Sequence, residues 1–216
     1  CVQPGMVLDH LNRFLKPHGL FYPVDVSTAN RATLGGMTGN NSCGSRSIRY
    51  GNMVHNVQAI DGLLADGSQV HFKTLHERKL ADGDAAQIEL FTKMLALGDR
   101  EAQEIAQRFP DLLRRVGGYN IDVLTQQDPN MSHLLVGSEG TLAFFQRIHL
   151  KLQPLPVHKT LGVCHFPSFY EAMEATQHIV ELNPSAVELV DRTMIDLARD
   201  IPIFASTVDR FVQGEP

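Results

Sequence analysis

The stretch ATLGGMTGNNSCGSRSIRYG, Ala32 to Gly51, holds five glycines, two adjacent asparagines and two arginines in twenty residues. Glycine has no Cβ, so such a segment lets backbone pass close to another group or adopt conformations closed to other residues. A phosphate, a flat ring system and a tight unliganded loop would each use it. Two phosphate readings fail. Gly39 and Gly44 have the separation of a Walker-type loop, but Ser45-Arg46 follows where Lys and Ser/Thr are required. Gly35-Gly36-Met37-Thr38-Gly39 does not space its glycines as G-x-G-x-x-G, and no helix clearly follows.

The elements around this segment come from periodicity. Val7, Leu8, Leu11, Phe14 and Leu15 have helical spacing, ended by Pro17-His18-Gly19. Val57 to Ala65 reads as a strand, Asp66-Gly67 as a two-residue turn, and Val70, Phe72 and Thr74 as the return strand. Asp82 to Val116 reads as helical, with Asp84 and Gln87 as a capping pair and a second helix restarting at Asp99. Leu134 to Val136 reads as a short strand, Gly137 to Thr141 as a turn, and Ile148, Leu150 and Leu152 as an alternating strand. Consecutive helices between strands argue for an α+β fold rather than a doubly wound sheet.

Gln153-Pro154-Leu155-Pro156 is the best linker, giving an expected division into residues 1–153 and 154–216. Beyond it, Leu161 to Phe166 and Ala186 to Val190 read as strands. Ser168 to Glu171 opens one helix and Asp191 caps another. Strand-helix-strand-helix of this size is the beginning of a ferredoxin-like unit.

Composition narrows the function classes. A net charge of −5 with no Lys/Arg run argues against nucleic-acid binding, and no apolar run approaches a membrane span. Three distant cysteines, Cys1, Cys43 and Cys164, argue against a disulfide framework. The opening on Cys1 and the end at Pro216 suggest an internal fragment of a longer protein. Ten histidines show no metal-ligand spacing, so no metal site is expected. Ser138 is one place short of a nucleophile elbow, and Cys43 reads best as a small filler. What stays unexplained is a second glycine turn, Gly137 to Thr141, and the amides and hydroxyl of Asn40, Asn41 and Ser42 between the first set of glycines.

These motifs together are specific. Thr33-Leu34-Gly35-Gly36, Asn40-Asn41, Gly44, Arg49-Tyr50-Gly51, Val57 and Ala65-Asp66-Gly67 resemble the second part of the flavin domain in FAD-linked oxidases of the vanillyl-alcohol oxidase and p-cresol methylhydroxylase superfamily. Val2-Gln3-Pro4-Gly5 resembles the family's V-x-P-G step. Gly19-Leu20 with Pro23 and Asp25 resembles its G-L-x-x-P-x-D approach. Gly117-Gly118-Tyr119-Asn120 and Gly137-Ser138-Glu139-Gly140-Thr141-Leu142 are similar to signatures of the branch acting on D-2-hydroxy acids. Glu188 to Arg192 is similar to a step early in that branch's substrate domain. Cys43 stands where many members have Ala or Gly, and Ala143 where Gly is frequent.

The resemblance implies FAD as cofactor, with contacts at Pro23, Asp25, Thr33, Gly35, Gly36, Asn40, Asn41, Ser42, Gly44, Tyr50, Gly51, Val57, Glu139, Gly140 and Thr141. It implies a second flavin subdomain followed by the start of a substrate, or cap, domain. The implied reaction oxidises a 2-hydroxy acid such as D-lactate, glycolate or D-2-hydroxyglutarate by hydride transfer to the flavin. The catalytic base and the earlier flavin subdomain are expected outside this chain, so the isolated piece is expected to be inactive. A quinone, cytochrome or flavoprotein is compatible as electron acceptor, as is a homo-oligomer. The implied location is cytoplasmic, with attachment to the inner face of a membrane also compatible. A non-catalytic binding module and a flavin reductase of the cell-wall precursor type are the alternatives.

Overall fold

Three leucines, Leu8, Leu11 and Leu15, fall on one stripe of helix α1 (Leu8–Leu15), and all three are buried. The opposite side carries exposed Phe14, tilted against His18. Gly19, with φ of 68°, ends the helical segment and turns the chain into a short strand β1 (Leu20–Phe21). Asn12 fixes that turn: its Oδ1 accepts from the Tyr22 amide at 2.7 Å. Tyr22 is fully buried and donates its hydroxyl to Met53 Sδ at 2.9 Å, and burial pushes its phenol far above the usual range.

The computed structural model describes residues 1–80 and 83–214; Asp82, where a helix is expected to begin, lies outside them. The chain divides into two compact units at Leu155/Pro156. In the first unit, the glycine segment is helical where a loop is expected: α2 (Leu34–Asn40), α3 (Ser47–Tyr50) and α4 (Met53–Asn56) follow one another. Strands β2 (Val57–Leu63) and β3 (Gln69–Phe72) form the hairpin. Its loop is three residues rather than two. The Leu64 amide bonds to the Ser68 carbonyl at 2.9 Å, and Gly67 takes φ of 85°. Asp66 Oδ1 accepts from the Ser68 amide, so the Asp-Gly pair acts through a side-chain-closed turn ending in a left-handed glycine.

Residues 85–108 form one helix, α5 (Ala85–Arg108), not two. Asp84 caps it as expected, accepting from the Gln87 amide at 2.8 Å. Gly98 looks like a break in sequence, yet its role is contact. A Cβ there would stand 2.5 Å from Leu124 Cβ and 2.9 Å from the Leu124 carbonyl oxygen. Arg78 holds the same junction, donating to the Leu124 carbonyl at 2.9 Å and to Asp99 at 2.7 Å.

Leu134 to Val136 is not a strand. Residues Met131–Leu134 form a 3-10 turn whose capping Asn130 accepts from the Ser132 amide and hydroxyl. A short apolar run is buried equally well in either conformation, and the cap decides here. Beyond it, β4 (Phe144–Leu150) pairs antiparallel with β2, giving the order β3-β2-β4. Strand β5 (Gln153–Pro154) pairs with β1, which places part of the expected linker inside the first unit. One sheet face carries Ile60, Val70, Phe72 and Ile148, all buried, with α5 packed there through Phe91 against Phe72 at 5.6 Å. The other face presents Asp61, His71, Arg147 and His149.

The second unit contains α6 (Phe169–Glu181), α7 (Arg192–Asp200) and α8 (Pro202–Phe211). Ser168 and Asp191 cap the first two as expected. No strand forms at 161–166 or 186–190, where two are expected. A strand needs a hydrogen-bonded neighbour, and no described segment pairs with either stretch. Ile195 is the sole buried apolar side chain among the described residues of this unit.

Gly98→Ala tests the α5 junction. Alanine normally favours a helix interior by about 1 kcal/mol, but the overpacked contact should cost about 1–3 kcal/mol in urea unfolding. A stabilised variant would show that the junction with residues 121–125 is not tightly packed.

Candidate functional site

Backbone bonding to the chain's first residues sets the glycine segment. The Leu8 amide bonds to the Ala32 carbonyl at 3.0 Å, Leu34 to Met6 at 2.8 Å, and Gly35 to Pro4 at 2.8 Å. The V-x-P-G and T-L-G-G steps are therefore in direct contact. A Cβ on Gly35 would lie 2.6 Å from Pro4 Cβ, so this approach requires glycine. Thr33 caps α2, its hydroxyl accepting from the Gly36 amide at 3.3 Å. Gly36 is exposed, and a Cβ there would meet only the Thr33 hydroxyl.

The second glycine turn closes on the C-terminal end of α2. The Gly137 amide donates to the Thr38 carbonyl at 2.9 Å, and the Glu139 amide to the Gly39 carbonyl at 3.0 Å. Asn40 Nδ2 donates to Glu139 Oε1 at 2.9 Å, across 99 positions of sequence. Gly137 and Gly140 adopt φ of 85° and 74°, and Glu139 between them 50°. Ser138 Oγ is buried here without a hydrogen-bond partner. Thr141 is exposed, donating to the Ser138 carbonyl at 2.6 Å and pairing with the Tyr119 hydroxyl at 2.8 Å.

Between these segments runs a groove of about 540 Å³. Gly35, Gly36, Gly39 and Gly140 line it with backbone, Thr33 and Glu139 supply polar side chains, and Pro4, Gly5, Ala143, Phe144 and Phe145 complete it. Five of the expected contacts therefore share one groove: Thr33, Gly35, Gly36, Glu139 and Gly140.

The other expected residues do different work in this fold. Asn41 ends α2 in the left-handed region and is buried. Its Oδ1 accepts from the Val54 amide at 3.0 Å and its Nδ2 donates to the Arg115 carbonyl at 3.3 Å. Asp25 holds the loop after α2, accepting from Ser45 Oγ at 2.9 Å and the Arg46 amide at 3.1 Å. Gly44 packs so closely on Asp25 that a Cβ would stand 2.1 Å from its carbonyl oxygen. Ser42 donates to Asn40 Oδ1, Tyr50 stacks edge-on to Phe21 at 5.7 Å, and Gly51 leaves room for the His55 ring. Pro23 and Val57 are buried. Sequence reasoning singled out none of Pro4, Gly5, Gly39, Ala143, Phe144 and Phe145 as contacts. The contact between V-x-P-G and T-L-G-G is tertiary, and the sequence reading gives Phe144 no role.

Comparison with known proteins places this geometry. A family model described as FAD binding domain matches residues 1–73, and one described as FAD linked oxidases, C-terminal domain, matches residues 155–211. A D-2-hydroxyglutarate dehydrogenase of Haemophilus influenzae is 33% identical over 223 residues, covering 99% of this chain and 22% of that protein. The chain resembles the FAD-linked oxidases in both of its units. A mitochondrial D-lactate dehydrogenase (cytochrome) of Arabidopsis thaliana is 28% identical, over 90% of this chain and 26% of that protein. The chain thus spans about a quarter or less of these two relatives. A solved alkyldihydroxyacetonephosphate synthase superposes with a TM-score of 0.52 at 18% identity, covering 86% of this chain and 25% of that one, which shows a shared fold. No described helix is long and apolar enough to cross a membrane.

The groove fits the cofactor of FAD-linked oxidases. A flat ring system needs one wall of bare backbone and one of apolar side chains. Gly140 faces open space, a Cβ on Gly36 would meet only the Thr33 hydroxyl at 3.3 Å, and Ala143, Phe144 and Phe145 line the same groove. The unpartnered Ser138 hydroxyl lies in the same turn.

Burial pushes His133 below the usual imidazole range, against an opposing hydrogen bond to the Val57 carbonyl at 3.3 Å. The folded protein thus favours the neutral ring, so the unfolded chain binds protons more readily. Stability should be full above the ordinary value of 6.5 and fall as pH drops below it. His133→Gln should flatten that part of a pH series of urea unfolding curves. An unchanged slope would remove His133 as its source.

Proposed function

We propose that this chain is the cofactor-holding part of a FAD-dependent dehydrogenase that oxidises a D-2-hydroxy acid to the 2-oxo acid. The observation that carries this reading is the joining of two glycine motifs, 99 positions apart, into the two sides of one groove. Both relatives described above bear names of hydroxy-acid dehydrogenases, D-2-hydroxyglutarate and D-lactate. D-2-hydroxyglutarate is the first substrate to test, because that relative aligns along 99% of the chain.

Bound FAD would supply the hydride acceptor for the substrate's α-hydrogen. The chain's own residues bind and orient. Gly35, Gly36 and Gly140 keep side chains out of the groove, so a planar group can lie against backbone. Pro4, Ala143, Phe144 and Phe145 exclude water from the apolar flank. Thr33 and Asn40 hold the two sides in place, the first by capping α2 and the second through Glu139. We assign no catalytic base to these residues: His133, four positions before Gly137, bonds to a backbone carbonyl and burial lowers its affinity for a proton. A quinone, a cytochrome or another flavoprotein is compatible as the electron acceptor, and a homo-oligomer as the assembly.

The test uses the protein that carries this chain, purified with FAD. It should show a bound-flavin spectrum that bleaches anaerobically on adding D-2-hydroxyglutarate or D-lactate. Gly36→Val adds bulk where only the Thr33 hydroxyl is near, so the fold should survive while FAD affinity drops at least about tenfold, the equivalent of ~1.4 kcal/mol. Flavin that stays fully bound in that variant contradicts the groove assignment. A protein that takes up no FAD contradicts the function.

A further inference from the structure

The sheet face turned away from α5 carries a cluster that no local sequence spacing announces. Antiparallel pairing sets Asp61 on β2 opposite His71 on β3 and Arg147 on β4, and His149 lies two residues further along β4 on the same face. His71 Nδ1 is 2.5 Å from Asp61 Oδ1, and His149 Nε2 is 3.5 Å from Asp61 Oδ2. The two imidazoles stand edge to face with centroids 5.8 Å apart. One potential ligand atom from each of the three residues lies within 4.8 Å of the others, and among the described residues no other group of three His, Cys, Asp or Glu does so. The sequence reading anticipated no metal site because positions 61, 71 and 149 become neighbours only through strand pairing.

We propose that Asp61, His71 and His149 form a binding site for a divalent transition metal of zinc's kind, tying β2, β3 and β4 together. Two imidazole nitrogens and one carboxylate oxygen are ligands such ions accept readily. Zinc bonds of about 2.0–2.2 Å place neighbouring ligands ~3.3 Å apart in a tetrahedral site. The His71 and His149 nitrogens lie 2.5 and 3.5 Å from different oxygens of the Asp61 carboxylate, and one ligand atom from each residue lies within 4.8 Å of the others, so side-chain rotations that open the shortest contact and draw in the rest would admit an ion. Each ligand comes from a different strand of a paired sheet, which preorganises the set. Gln87 of α5 adds to this by accepting from the His71 backbone amide at 3.1 Å.

Accessibility agrees with a site reached from solvent, since the three side chains are between 28% and 42% exposed. Water would fill the remaining coordination positions. One group opposes the ion. Arg147 Nε sits 3.9 Å from Asp61 Oδ2, though the side chain is 68% exposed and free to turn toward water. The alternative is a plain carboxylate–imidazole contact across the sheet. The two differ in what His149 does: at 3.5 Å it adds little as a hydrogen bond, whereas an ion requires it.

The test is calorimetric titration of the full 216-residue chain with zinc chloride at neutral pH, after chelator treatment, alongside thermal unfolding with and without zinc. Neither readout involves flavin, so its failure is separate from failure of the proposed function. We expect one site per chain with a dissociation constant on the order of micromolar or tighter, and a melting temperature that rises with zinc. His149→Ala and Asp61→Asn should each weaken zinc at least about tenfold and abolish the thermal shift. Arg147→Gln should bind zinc at least as tightly as the parent, and Cys43→Ser with Cys164→Ser should leave binding unchanged. If His149→Ala does not fold by circular dichroism, His149→Gln serves in its place. Absence of a one-to-one zinc site, or a site whose affinity is untouched by His149 and Asp61 substitutions, overturns the proposal.

Discussion

Two backbone hydrogen bonds, from Gly137 to the Thr38 carbonyl and from Glu139 to the Gly39 carbonyl, determine where the groove can be. They join the end of a seven-residue helix to a turn about a hundred positions later, and the Asn40–Glu139 side-chain bond closes the same junction. A net hydrogen bond is worth only about 0.5–1.5 kcal/mol, so the junction depends on what holds each side. On one side, Gly35 is bonded to Pro4, and Thr33 caps the helix. On the other, Asn120 donates to the Val136 carbonyl at 2.8 Å, just before the turn. Three separate chain segments are thereby fixed around one space.

The residues behind the groove explain why so many polar groups sit in the glycine segment without facing it. Asn41 satisfies the Val54 amide and the Arg115 carbonyl, and Asp25 satisfies the loop that follows α2. Left unpaired, the fully buried Asn41 amide would cost about 1–3 kcal/mol. Their amides and carboxylates therefore belong to the framework, while the groove itself is glycine backbone and apolar side chains with Thr33 and Glu139 as its polar ones. The turn at 137–141 also leads straight into β4, so the sheet that carries Asp61, His71 and His149 and the groove share one strand.

Much of this was legible in the sequence. The caps at Asp84, Ser168 and Asp191 were readable because capping is local chemistry. So was the hairpin, although its loop is longer by one residue because Gly67, not the Asp-Gly pair, takes the left-handed position. The family motifs pointed to the segments that meet at the groove but not to which side chains face it, since Asn41's direction depends on Val54 and Arg115. The expected restart at Asp99 is absent, and Gly98 beside it is a glycine required by packing against Leu124 rather than one that ends a helix. The two absent strands of the second unit show the converse: extended, apolar residues do not become strands without a neighbour to bond. The Asp61 cluster was illegible because its members meet only through sheet register.

The most direct measurement of the central claim is hydrogen–deuterium exchange of the FAD-containing protein against its flavin-stripped form. If the two glycine segments are sides of one cofactor groove, amides in 33–41 and 137–143 should slow together when FAD is bound, while those of β3 at 69–72 stay unchanged. Protection confined to one of the two segments, or absent from both, would contradict it.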